Sequence, residues 1–332
     1  MARAARSTGG VAPPSSTPLR RALSAGAVAC LVLLVLALPV LLETRTYELA
    51  RAAEYAIAIL GLVVLVGFTG QISLGHGAFM AIGGYTSGVL MFHTGVAGAL
   101  TIPLAGVVAG LIGFFFGFPA LRLSGVYLAL ATFALAVAVP SILKRFEGLT
   151  GGSGGLVLDV LAPPGRLHVR PERWLYYLTV SIALVLFALT WLLLRGRAGR
   201  ALRAIRDGEV AAVSFGVNVA LYKALAFGLS AAYAGVAGSL LVIDSGFVNP
   251  DTFPIELSIR ILVGAVVAGL TTLGAIPLGA LFIEFLPIYS QQVSQQAPAV
   301  IYGAALILIM VLLPSGAAGL IRRLLSPVIG RL

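Results

Sequence analysis

The sequence predicts an all-α protein, a polytopic membrane helix bundle, and three observations carry that prediction. Of the 332 residues, 59% are hydrophobic and 10% are charged, against roughly 25% charged in an ordinary soluble domain. So few charges cannot cover a globular surface. Apolar runs close to the roughly 20 residues that cross a bilayer recur along the whole chain. The 40 glycines would weaken soluble helices, but in lipid small residues let helix backbones approach closely.

Residues 1–21 combine Arg3, Arg6, Arg20 and Arg21 with Pro13, Pro14, Pro18 and several serines. That composition buries too little apolar surface to order itself, so a disordered cytoplasmic tail is expected. The run Ala22–Leu42 exceeds the roughly 7–15 residues of a signal-peptide core and lacks a clean small-x-small site; it is read as a retained first span. Further spans are expected over Ala52–Phe68, Ala78–Phe92, Gly98–Phe118, Val126–Leu143 and Trp174–Leu194. After a basic loop, Arg195–Lys223, come Ala224–Ile243, an interrupted stretch Leu257–Leu286, and Ala299–Leu313.

In the interrupted stretch, Gly264, Gly269, Gly274, Pro277 and Gly279 punctuate the pattern, and the first half, Leu257–Leu270, is too short to cross. Two half-helices meeting at Thr271 and Thr272 are expected, their backbone ends covered by protein or a water-filled cavity. The reading gives about 8 full spans plus this broken or re-entrant pair, or 10 if both halves cross. The membrane domain covers residues 22–320, and residues 321–332 form a short cytoplasmic tail.

Orientation follows from the distribution of basic residues. With the amino terminus inside, Arg122, the 195–223 loop, and Arg322, Arg323 and Arg331 all fall on the inner side. Fewer basic residues, among them Arg45, Arg51, Lys144 and Arg173, fall outside. Both termini are therefore expected in the cytoplasm. The only sizeable outer loop is 144–173, with the glycine-rich run Gly148–Gly155. This placement explains the formal charge of +10 better than a nucleic-acid partner does, because the basic residues lie in membrane loops. The single cysteine, Cys30, excludes an intrachain disulfide.

Within the basic loop, Arg200, Arg203 and Asp207 fall at helical spacing on one side, while Leu202, Ile205, Ala212 and Phe215 offer apolar contacts. A short helix at the membrane surface is expected, able to fit a groove on a partner; the alternative is a loop that only anchors topology. The spacing Glu209-x-Ala211-Ala212-x-x-x-Gly216 adds a polar handle, two small residues for close approach, and a glycine turn. A second polar segment, Gln71, Ser73 and His76, lies between apolar runs and among Gly67, Gly70, Gly75 and Gly77. Polar groups at membrane depth turn toward the bundle interior. They either line a translocation path, with Thr271 and Thr272, or make hydrogen-bonded helix contacts.

His76 has no second ligand at metal spacing, so no metal site is expected. The 148–155 run lacks the Gly-Lys-Ser/Thr ending of a phosphate loop, no hydrolase pattern appears, and no catalytic residue is assigned. A secondary transporter would want mid-membrane carboxylates, for which Glu284 is the one candidate considered; Arg260 is expected to snorkel near an interface.

The string Gly70-Gln-Ile-Ser-Leu-Gly-His-Gly-Ala-Phe-Met-Ala-Ile-Gly-Gly-Tyr85, the Gly151-Gly-Ser-x-Gly155 loop and the Arg200–Asn218 block stand in the order and spacing of one family. Over roughly residues 45–320 the chain resembles the LivM-type permeases of branched-chain amino-acid ABC importers. The resemblance implies a coupling helix in the 195–223 loop, with Arg200, Arg203, Arg206, Asp207, Glu209, Ala211, Ala212 and Gly216 meeting an ATPase. It also implies a second homologous permease, two ABC ATPases that bind ATP and Mg, an extracytoplasmic amino-acid-binding protein, and residence in the bacterial inner membrane. The cargo it implies is leucine, isoleucine or valine, with other amino acids, urea or amides as relatives' cargo. The chain departs from the family at Gly154, commonly acidic, and Gly208, commonly asparagine; these changes bear on the solute rather than on the transporter class.

Overall fold

The structure is a computed structural model, and it describes residues 37–293, except 121, 124, 160, 162 and 164–169, with isolated positions outside that range. The tails 1–21 and 321–332, most of the span 22–42, and most of the span 299–313 lie outside the described residues. The chain divides into two units, residues 1–44 and 45–332. Of the first, a helix end over residues 37–41 is described.

The second unit is built from helices α1 (Thr46–Leu62), α2 (His76–Thr94), α3 (Gly98–Ala120), α4 (Val126–Arg145), α5 (Pro171–Arg195), α6 (Arg197–Asp207), α7 (Glu209–Ser214), α8 (Val219–Ser245), α9 (Ile255–Ala268) and α10 (Ile276–Val293). A π-helical turn, Val63–Gly67, extends α1. Among the described residues six segments are long and apolar enough to cross a membrane: Glu43–Gly67, Gly98–Ala120, Val126–Arg145, Pro171–Arg195, Val219–Ser245 and Leu273–Gln291. An all-α membrane bundle is thus what the chain forms.

The helix expected over Ala78–Phe92 forms, but it is not among those six. Its glycines, serine, threonine and histidine lower its hydropathy, and its first half is buried in protein. The interrupted stretch resolves into α9 and α10, with the break over residues 269–275 where Thr271 and Thr272 stand. The two helices form a tight hairpin: a Cβ on Gly279 would stand 2.1 Å from the Gly264 carbonyl oxygen.

Helix α8 is the axis of the bundle, packed against α3, α2 and α1. Small residues make these crossings close. A Cβ on Gly83 of α2 would meet the Gly235 carbonyl of α8 at 2.1 Å, and one on Gly235 would meet the Ala109 Cβ of α3 at 2.4 Å. Without a hydrophobic drive between helices in lipid, such contact and interhelical hydrogen bonds hold the bundle. Ser87–Ser239 at 2.6 Å and Thr190–Tyr233 at 2.8 Å are two of those bonds.

At the end of α8 remote from the basic loop, a two-stranded antiparallel ladder pairs β1 (Leu156–Val157) with β2 (Phe247–Val248). The ladder fixes the glycine-rich run, which folds as one helical turn, Glu147–Thr150, and one 3-10 turn, Gly152–Gly154. Lys144 bonds Asp251 at 2.7 Å at the same end.

Candidate functional site

The two segments singled out in the sequence meet at one end of the bundle. α6 is amphipathic: Ala201, Leu202 and Ile205 are buried, while Arg200, Arg203, Arg206 and Asp207 are on its exposed face. The guanidinium of Arg206 reaches from that face to donate to the Gly67 carbonyl at the end of α1. A last-turn carbonyl has no intrahelical donor and carries the negative end of the helix dipole, so a cation is a favourable partner. Gly70 follows at φ +74°, a conformation glycine adopts without strain. A Cβ there would stand 3.9 Å from Cγ of Arg206.

Glu209 opens α7 and accepts from Nζ of the nearly buried Lys223 of α8 at 2.5 Å. The acidic residue expected as a handle for a partner is thus also tied to the bundle. Ala212 is buried within the chain, whereas Ala211 is exposed. Phe215, expected to offer an apolar contact, stands 85% exposed, beside Val210 at 85% and Val213 at 59%. The six-residue helix cannot bury two faces, and Ala212 occupies the inner one. Gly216, at φ +77°, turns the chain toward Asn218, whose side chain caps α8 by accepting from the Leu221 N–H at 3.0 Å.

The Gln71–His76 segment lies inside the bundle, and several polar groups there are partnered. Gln71 accepts from Thr69 at 3.2 Å, Ser73 from the Gly75 N–H at 3.3 Å, and His76 Nε2 pairs with Ser230 of α8 at 3.0 Å. Thr132 of α4 and Ser258 of α9 accept from the Leu74 and Gly77 N–H groups, both at 2.9 Å. These hydrogen bonds join α2, α4, α8 and α9 at a helix junction. Thr271 and Thr272 follow Leu270, whose carbonyl oxygen would stand 1.8 Å from a Cβ on Gly67. The α9–α10 break is therefore at the same end of α1 that Arg206 grips.

Sequence reasoning missed a second polar cluster, at the other end of α1 and α8. It weighed Glu284 alone as an intramembrane carboxylate and placed Arg51 in an outer segment. In the structure Arg51 lies on α1, Glu54 is completely buried one turn further on, and Asp244 is in the last turn of α8. Arg260 is half-buried on α9, within electrostatic reach of Glu284 on α10. A lone acid inside the run Ala52–Phe68 was the available signal for Glu54.

Residues 44–313 match the family described as branched-chain amino acid transport system / permease component. The chain is 31% identical over 311 residues to the high-affinity branched-chain amino acid transport system permease protein LivM of Escherichia coli K12, covering 86% of this chain and 73% of that protein. It is 26% identical over 289 residues to LivH of the same organism, covering 80% and 92%. With the autoinducer 2 import system permease protein LsrC of Escherichia coli K12 / DH10B it shares 27% identity over 242 residues, covering 70% and 66%. No solved structure matches the chain. Its apolar helices and these relatives make it a multi-pass membrane protein, and with the family match spanning most of its length the chain belongs to the permease components of branched-chain amino acid transport systems.

Proposed function

We propose that this chain is one membrane-spanning subunit of an ABC importer for leucine, isoleucine and valine. It pairs with a second homologous permease, and the two dock on two ATPases that bind ATP and Mg, while an extracytoplasmic binding protein delivers the amino acid. The complex resides in the bacterial inner membrane, with both termini of this chain in the cytoplasm. The span count in this reading is eight plus the α9–α10 pair, counting residues 22–42 and 299–313.

The observation that carries the reading is the build of the 195–223 loop. Val210 and Val213 of α7, and Phe215 just after it, project with no cover from the described chain, on a loop whose charged residues Arg206 and Glu209 are bonded to α1 and α8. An apolar surface rimmed by charge fits a protein partner. Its ties to two central helices give any displacement of the loop a direct route into the bundle. Closure of the ATPases would then tilt the helices between outward-facing and inward-facing states. The path in this reading runs past Gln71, Ser73 and His76 toward Thr271 and Thr272.

The test is reconstitution of the complete complex in proteoliposomes, with uptake of radiolabelled leucine measured against competing isoleucine, valine and urea. Competition by the two amino acids and not by urea is expected; competition by urea alone would assign a different cargo. Phe215→Asp is expected to abolish co-purification of the ATPases while the permease still inserts. Stoichiometric ATPase on that variant would refute the docking role of α7.

A further inference from the structure

Remote from the coupling loop, the bundle encloses ionisable side chains with polar atoms that the helix contacts do not use. Glu54 is completely buried, and neither of its carboxylate oxygens has a hydrogen-bond partner. It lies roughly 20 Å along α1 from Gly67, at 1.5 Å per residue. Arg51, one turn earlier on the same helix, leaves its Nε unpaired, and Asp244 leaves Oδ2 unpaired. Asp244, Arg51 and Glu284 all lie within electrostatic reach of Glu54. The Arg51 guanidinium stands over the Tyr47 ring, 5.6 Å from its centroid, a contact that orients the group while Nε stays unpaired.

Unpartnered ionisable groups are among the most expensive things to bury, and inside membrane segments such residues mark solute pathways. The kind of solute follows from the atoms left over. Glu54 and Asp244 offer three acceptor oxygens and Arg51 offers one N–H donor. An α-ammonium brings three N–H donors, and an α-carboxylate accepts from a guanidinium in a charge-assisted bond. Among the described residues no group of three carboxylates or imidazoles is placed to cage a metal ion, so the acceptors suit an ammonium better than a divalent cation.

We propose that Glu54, Asp244 and Arg51 form the intramembrane site that holds the ammonium and carboxylate of an α-amino acid during its passage. The inference rests on the importer reading above and adds to it where the zwitterion is recognised. A headgroup site of this kind accepts any aliphatic α-amino acid, leaves the side chain to other contacts, and does not retain urea, which has neither ion.

The assay uses the full complex of two permeases and two ATPases in proteoliposomes, supplied with saturating leucine-loaded binding protein. Leucine imported per ATP hydrolysed is measured for wild type, Glu54→Gln and Asp244→Asn. Both variants are expected to lower that ratio about ten-fold or more, the scale of a lost charge-assisted hydrogen bond, while assembly and binding-protein-stimulated hydrolysis persist. Glu54→Asp is expected to regain part of the ratio. A purely structural role would lower assembly and hydrolysis together with import and leave the ratio unchanged; that result overturns the proposal. Should Glu54→Gln fail to assemble, Asp244→Asn on the half-buried rim decides by the same ratio. A wild-type complex that moves no α-amino acid refutes the importer reading itself, whereas import by the wild type with unaltered variants refutes the headgroup site alone.

Discussion

Arg206→Ala removes the guanidinium that α6 sends to the Gly67 carbonyl, and with it a side-chain bond between α6 and the end of α1. A hydrogen bond to a charged donor contributes about 1.5–3 kcal/mol when well buried. Arg206 is largely exposed, so screening by solvent reduces this to roughly 1–1.5 kcal/mol. If the bond is made in one state of the transport cycle and broken in the other, that energy is the coupling between loop and bundle, roughly five- to ten-fold in the equilibrium between states. The buried Leu202 and Ile205 still seat α6, so the helix itself should persist. The assay compares ATP hydrolysis with leucine uptake by the reconstituted complex. Arg206→Ala is expected to keep its ATPases and to hydrolyse ATP, but to import five- to ten-fold less leucine per ATP, by the same arithmetic. Arg206→Lys should recover part of this, because a lysine can donate to one carbonyl although it lacks the planar fork. Unchanged import per ATP in Arg206→Ala would refute the view that this bond transmits anything.

Two further outcomes test neighbouring contacts. Glu209→Lys places two cations where Lys223 now pairs with a carboxylate, and loss of ATPase co-purification is expected. Recovery in the double variant with Lys223→Glu would assign the effect to the ion pair, and failure to recover would assign it to a direct contact of Glu209 with the partner. Gly235→Val would drive a side chain into Ala109 and Ala105 at the α8–α3 crossing, with an overpacking cost of about 1–3 kcal/mol. A lowered unfolding midpoint of the purified permease is expected, and an unchanged midpoint would refute the tight contact of Gly235 with Ala109 and Ala105 as a source of stability.

What could be read from the sequence divides along the range of the interactions involved. The surface helix α6 was legible because Arg200, Arg203 and Asp207 lie within three turns of one another, and local spacing alone sets their common face. The break at Thr271 and Thr272 was legible because Gly264, Gly269 and Gly274 interrupt an apolar run. Asn218 carries a usable local signal too, a capping residue directly before a helix. The roles of Ala212 and Phe215 were not legible. Their spacing permits either to face inward, and the choice depends on how α7 lies against α8.

Glu54 is the clearest case of information that local pattern does not hold. Within Ala52–Phe68 it is one acid in an apolar run, a signal that it turns inward but not of which groups it meets there. Its meaning arises when α1, α8 and α10 bring Asp244 and Glu284, far apart in the chain, within electrostatic reach of it. The same helices connect this cluster to the 195–223 loop: α1 ends at the carbonyl held by Arg206, and α8 carries Lys223, held by Glu209. A rigid helix displaced at one end must move at the other. Two long helices, each gripped by the 195–223 loop at one end and carrying an unpaired ionisable group at the other, are therefore a physical means by which, in the proposed importer, work done on that loop alters how tightly a zwitterion is held across the bundle.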